Sequence, residues 1–123
     1  MNVYPCDWIF AGLKYSIFIT SKGIYGTGLN SDFQLGLGHS SNVQVPRKLP
    51  IDEEVIKVSG GSYCLAGTSN NEWYIWGDGV LGLYIYPTKV SFLQGAETVS
   101  LGQNGGIYVK KDRVWAWGNN GWG

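Results

Sequence analysis

The sequence predicts an all-β chain of short antiparallel strands, and three observations carry that expectation. Glycine supplies 19 of 123 residues, beside six tryptophans and eight tyrosines. The glycine share is about twice the usual ~7%, and glycine-rich disordered chains lack this aromatic content, so the mixture marks tight turns between half-buried strands. Apolar residues alternate with period two over several short stretches, and no stretch has convincing helical periodicity. Finally, a unit of strand, polar turn and strand recurs three times with nearly constant internal spacing.

The elements follow in order. Asp7–Ala11 reads as a strand leading into GLKYSIFIT, Gly12 to Thr20. A polar turn, Ser21-Lys22-Gly23, then precedes the strand IYGTG ending at Gly28. The second unit runs GGSYCLAGT from Gly60 to Thr68, turns at Ser69–Glu72 and ends with WYIWG at Gly77. The third runs GQNGGIYVK from Gly102 to Lys110, turns at Lys111-Asp112 and ends with VWAWG at Gly118. First-to-last glycine spacings are 16, 17 and 16, whereas the starting glycines lie 48 and 42 residues apart. A constant hairpin joined by variable loops produces that pattern. Ile51–Val58 comes nearest to a helical pattern, but it is short and leads straight into the Gly60 strand.

Smaller marks also repeat. Leu35-Gly36 follows the first unit and Leu81-Gly82 the second. Pro46 and Pro87 precede the next units, as suits edge strands where no ladder donor is needed. In the closing strands, Tyr25/Thr27, Tyr74/Trp76 and Trp115/Trp117 share one face, and Ile24/Gly26, Trp73/Ile75 and Val114/Ala116 the other. Neither face is polar, so burial on both sides is expected. The repeat assigns structural roles to Gly12, Gly28, Gly36, Gly60, Gly77, Gly82, Gly102, Gly118, Trp76 and Trp117. Gly28, Gly77 and Gly118 suit backbone angles that other residues resist.

A short-strand repeat of roughly 40–50 residues closing on Trp-Gly is the pattern of a propeller blade. The chain resembles the regulator-of-chromosome-condensation repeat family, on Gly12, Tyr15, Ser16, Thr20, Tyr25, Gly28, Asn30 and Gln34-Leu35-Gly36-Leu37-Gly38. That resemblance implies blades of four strands, seven to a ring. This sequence departs from the family pattern where its histidine becomes Tyr15, Tyr63 and Gly105, where Thr27 replaces its tryptophan, and between Gly77 and Leu81, where residues are missing. The expected architecture is an incomplete β-propeller of about 2.7 blade repeats, short of the roughly four that close a ring. It forms one domain over residues 1–123, with units near 7–50, 55–97 and 98–123. The sequence reads as a fragment, or as a short chain whose copies close a ring together. Trp115 and Trp117 are expected to await cover from a next blade, so self-association through open ends is expected.

Composition excludes several functions. Nine basic residues balance nine acidic ones, with pI near 6.5, so no generic nucleic-acid or anionic-membrane surface is expected. Lys110-Lys111-Asp112-Arg113 reads as a solvated hairpin turn. No apolar run reaches the ~18 residues of a membrane span, and the N-terminus lacks signal-peptide features. Cys6 and Cys64 are too few for a disulfide scaffold and are expected as thiols in an intracellular, cytoplasmic or nuclear setting. Gly77-Asp78-Gly79-Val80-Leu81-Gly82 matches G-x-G-x-x-G, but the following Leu83–Pro87 cannot open the helix that dinucleotide binding needs. His39 is the single histidine, which leaves no histidine metal cluster. Asp52-Glu53-Glu54 reads as a solvated bend.

The expectation is therefore a non-catalytic protein-interaction module without cofactor or metal, whose protein partner the sequence does not name. Tyr84, Tyr86 and His39 are the candidate contact residues, because loops on a rigid scaffold carry recognition and tyrosine is a favoured anchor. Both tyrosines lie outside the aligned hairpins, where they also suit the outer strand of the second blade. Two alternatives stay open: part of a guanine-nucleotide exchange factor for a small GTPase, which the resemblance implies, and a carbohydrate-binding propeller lectin.

Overall fold

A computed structural model describes residues 8–12, 14–60, 63–79, 82–102 and 105–118. Among the described residues, eleven strands form three antiparallel sheets, each a run of consecutive strands. The first sheet holds β1 (Trp8–Ala11), β2 (Tyr15–Thr20), β3 (Gly23–Gly28) and β4 (Val43–Lys48). The second holds β5 (Val55–Gly60), β6 (Tyr63–Thr68), β7 (Trp73–Gly79) and β8 (Gly82–Lys89). The third holds β9 (Thr98–Gly102), β10 (Gly105–Lys110) and β11 (Arg113–Gly118). Strand order in each sheet follows chain order, as in propeller blades. The first strands β1, β5 and β9 neighbour one another, so the sheets fan out from them and β4 and β8 are outer edges. A single 3-10 turn, Ser91–Leu93, is the sole helical segment among the described residues.

The repeated glycines set one register three times. Tyr15 pairs with Gly28, Tyr63 with Gly77 and Gly105 with Gly118. Gly28 takes φ +109°, and a Cβ there would stand 2.6 Å from the Lys14 carbonyl oxygen. Glycine is thus demanded by both conformation and space. In the second unit the strand does not stop at Gly77. β7 continues to Gly79, which pairs with Gly82 of β8, because the missing residues reduce a long loop to a tight hairpin. Of the G-x-G-x-x-G stretch, Gly77 to Gly79 thus lie on β7 and Gly82 on β8. Pro46 and Pro87 lie on the edge strands β4 and β8. A bulge recurs at the same place in both outer pairs, between Gly26 and Gly28 and between Ile75 and Gly77.

Hydrophobic packing lies between the sheets. One core joins Ile17, Ile19 and Ile24 of the first sheet to Val58, Cys64, Ala66 and Trp76 of the second. Another joins Tyr63, Leu65, Trp73 and Ile75 of the second sheet to Leu93, Ala96 and Val99, with Tyr108 and Trp117 packed on it. β6 and β7 are thus buried on both faces, as their apolar alternation predicts. β11 differs. Trp115 and Val114 are 47% and 71% exposed. The face bearing Trp117 also turns opposite to expectation: it packs back onto the second sheet, as Tyr74 and Trp76 pack back onto the first. The uncovered face of the third sheet instead carries Ile107 and Val114, whose counterparts Leu65 and Trp73 are buried against the next sheet.

Candidate protein-interaction site

The segment joining β3 to β4 reaches across to the second sheet, and Asn30 holds it in shape. Asn30 is fully buried. Its Oδ1 accepts from the Leu35 amide at 3.0 Å, while its Nδ2 donates to the carbonyls of His39 at 2.7 Å and Ser41 at 3.1 Å. The Asn30 amide in turn donates to Asn42 Oδ1 at 3.1 Å. A buried side chain satisfied in this way makes an otherwise irregular loop rigid.

The loop then docks through Gln34-Leu35-Gly36-Leu37-Gly38. The Gln34 carbonyl accepts from Trp76 Nε1 at 2.7 Å and from the Cys64 thiol at 3.4 Å. The Asp78 amide donates to the Asp32 carbonyl at 3.0 Å, and the Gly38 amide to the Ile85 carbonyl at 2.9 Å. Gly36, with φ +62°, lies flat on the Trp76 ring, where a Cβ would come within 2.9 Å. A Cβ on Gly38 would come closer still to the Tyr86 phenol. Cys64 is a free, fully buried thiol whose pKa burial pushes up to about 12. Its neighbour Tyr15, 3.4 Å away through the hydroxyl, is likewise raised, by burial first and by Cys64 second. Cys6 lies outside the described residues.

The three contact candidates separate. Tyr84 is half-buried against the core between the second and third sheets. Tyr86 is 52% exposed and touches Gly38, which places it beside exposed His39. The bulge in β8 causes this division by turning Tyr86 away from the face that Tyr84 shares. His39 Nδ1 accepts from the Ser41 amide at 3.1 Å and lies 3.4 Å from Asn30 Nδ2. Its ring partners are thus an amide and a carboxamide. Leu83 and Ile85, which the sequence reading did not single out, are 53% and 39% exposed on the same edge strand. Their alternation with Tyr84 was the available signal. A rim results: the outer edge of β8 with Leu83, Ile85 and Tyr86, tied at the Ile85 carbonyl to the loop that carries His39.

The remaining repeat positions serve packing. Gly12 lies under the Tyr15 ring, and Gly60 lies between Phe10 and the Tyr15 hydroxyl. Gly102 pairs with Gly105. Trp76 is fully buried, whereas Trp117 leaves its enclosed Nε1 without an acceptor among the described residues. Trp76 finds its acceptor in the long loop of the first unit. The second unit lacks the counterpart of that loop. Thr27, at the corresponding position in the first sheet, instead donates to Val43 of its own sheet at 2.9 Å.

Among the described residues no group of three His, Cys, Asp or Glu side chains could hold a metal ion. No helix among them is long and apolar enough to cross a membrane. The second sheet does carry one charged cluster. Glu53 accepts from the Tyr74 hydroxyl at 2.7 Å and pairs with Lys89 at 2.8 Å; Lys89 also pairs with Glu72 at 2.6 Å. Lys89 first, and then Tyr74, hold the Glu53 carboxyl below the usual range.

Fanned antiparallel sheets of three and four strands, the first with a loop clasping the next sheet, define a repeat protein of the β-propeller class, unclosed over the described residues. The profile of the Regulator of chromosome condensation (RCC1) repeat matches residues 23–66. Residues 23–66 thus carry a repeat of that family. It is 31% identical over 132 residues to the E3 ubiquitin-protein ligase HERC2 of Homo sapiens, covering 94% of this chain and 3% of that protein. Human WBSCR16 superposes with a TM-score of 0.83 at 26% identity, over 96% of this chain and 34% of that one. Prp20p of Saccharomyces cerevisiae, whose structure was reported with its binding properties to Gsp1p and histones, superposes at 0.77 with 18% identity, over 92% of this chain and 33% of that one. The chain thus spans a small part of HERC2 and about a third of either solved chain.

Proposed function

We propose that this chain is a non-catalytic protein-interaction module whose contact rim is the outer edge of β8 with the His39 loop. The observation that carries the reading is the exposure of Leu83, Ile85 and Tyr86 along an outer edge strand that the Gly38 amide ties to the His39 loop through the Ile85 carbonyl. Large apolar side chains exposed in a contiguous run are characteristic of contact surfaces, and tyrosine is a frequent anchor there. Where the Gly38 loop does not occupy it, this edge also offers backbone donors and acceptors to an extended partner segment. The protein binding reported for Prp20p supports the class of partner. The buried Cys64 thiol suits a reducing, intracellular setting, cytoplasmic or nuclear.

The test compares affinity capture by the natural chain and by Tyr86→Ser and Leu83→Ser variants that retain the natural melting midpoint. A reproducible protein partner, lost in both variants, is the expected result. Capture unchanged by both substitutions, or no reproducible protein at all, overturns the reading.

A further inference from the structure

The second sheet shows how the fold binds a carboxylate, and the third sheet repeats that cradle without its acid. In the second sheet the acid is Glu53, from the connection entering the sheet, held by Tyr74 and Lys89. The registers Ala66↔Tyr74 and Tyr108↔Trp115 make Trp115 the counterpart of Tyr74. The connection entering the third sheet carries Gln94 and Gly95 in the region where the earlier one carries Glu53. The Lys110 stem lies against Gly95, 3.4 Å from where a Cβ would stand. Across the hairpin tip, Thr68 and Glu72 give way to Lys110 and Arg113. The third cradle has therefore lost its own acid and gained cations.

The geometry suits a ligand. Tyr108 and Trp115 stack nearly parallel, 12° apart with centroids 6.3 Å apart, and Trp115 is 47% exposed. With Lys110, Lys111 and Arg113 they line a groove of about 570 Å³. Lys111 and Asp112 both take left-handed backbone angles, φ 52° and 62°, which close the two-residue turn and fix the hairpin tip. Among the described residues none of the three cations pairs with a carboxylate, Asp112 included.

We propose that this groove binds a glutamate- or aspartate-rich extended segment of a partner protein. Lys110, Lys111 and Arg113 pair with its carboxylates, and Arg113 can take one in a two-point fork. The Trp115–Tyr108 stack forms an apolar floor for the segment's side-chain stems. This surface is separate from the β8 rim and does not depend on it.

A dye-labelled, glutamate-rich peptide titrated with the 123-residue chain tests the proposal by fluorescence anisotropy. A lysine-rich peptide and a single-stranded oligonucleotide of equal charge serve as comparisons. The expected result is saturable binding of the acidic peptide that weakens as salt rises. Lys110→Glu combined with Arg113→Glu should weaken it about tenfold or more. Lys111→Glu, at an exposed turn position, should weaken it less and guards against misfolding of the double variant. Tyr86→Ser should leave it unchanged. Absence of saturable binding, binding indifferent to these charge reversals in folded protein, or equally tight oligonucleotide binding overturns the proposal, the last by marking a general polyanion surface.

Discussion

Asn30 illustrates how much one buried polar group organises. Its side chain answers two carbonyls and one amide that would otherwise lie inside the loop without partners. Asn30→Ala should destabilise the chain by about 1–3 kcal/mol, the cost of leaving such groups unpaired. Chemical denaturation checks this, and an unchanged midpoint would show that the loop holds its shape by other contacts. Cys64 gives a pH dependence. Its folded pKa of about 12 stands above the unfolded value near 9. Stability from the neutral thiol is complete below the unfolded pKa and is lost as pH rises, at about 1.4 kcal/mol per pH unit between the two values. Urea midpoints taken near pH 8.5 and pH 10 should therefore fall more in the natural protein than in Cys64→Ala. Equal losses would assign the alkaline limb to other groups, of which Tyr15 and Tyr74 are also raised.

Strands and their connections show a division of labour. β6 and β7 are packed from both sides, while β8 is exposed along most of its length. What ties β7 and β8 to the connection before β5 is the Glu53, Tyr74, Lys89 and Glu72 cluster, formed by side chains 36 positions apart at its extremes. Because the Glu53 carboxyl is held below its unfolded value, its contribution is present above about pH 4.5 and is lost as pH falls through the folded value. Thermal melts near pH 5 and pH 3 should show a flatter acid limb for Glu53→Gln than for the natural chain. The difference should be small, since solvent screens the pair. Identical limbs would remove the cluster from the stability of this connection.

The three sheets together behave as a stack with unlike ends. Toward one end the first sheet turns Phe18 against Tyr25, with rings 5.8 Å apart, and Thr27 is satisfied within its own sheet. Toward the other, Ile107 and Val114 are 52% and 71% exposed at positions whose counterparts are core. Sheet faces of this kind bury their apolar side chains only against a neighbour. The 123-residue chain on its own is therefore expected to self-associate at micromolar concentration. Light scattering coupled to size exclusion should show mass rising with concentration, and Val114→Lys should reduce it. A sharp monomer peak at all concentrations would show that the exposed face is tolerated in water.

Hairpins, register and the glycines that set them were legible in the sequence, because alternation and turn chemistry act over a few neighbouring residues. The spacing of Gly12, Gly28, Gly60, Gly77, Gly102 and Gly118 sufficed to place seven of the eleven strands by pairs or edges. The repeat also located Asn30 and the Gln34–Gly38 run, though not their bonds. What the chain does at long range was decided by packing. The direction of the Trp115 and Trp117 face depends on how one sheet stacks upon another, which alternation leaves open by symmetry. The parting of Tyr84 from Tyr86 goes with a register shift, in which Tyr84 to Thr88 of β8 lie opposite Ile75 to Gly77 of β7. The cradle around Glu53 gathers residues from three segments, and no local pattern brings a carboxylate, a phenol and an ammonium to one point. Such contacts follow from the three-dimensional meeting of elements, and their loss or replacement in the third sheet becomes visible only when the sheets are laid upon one another.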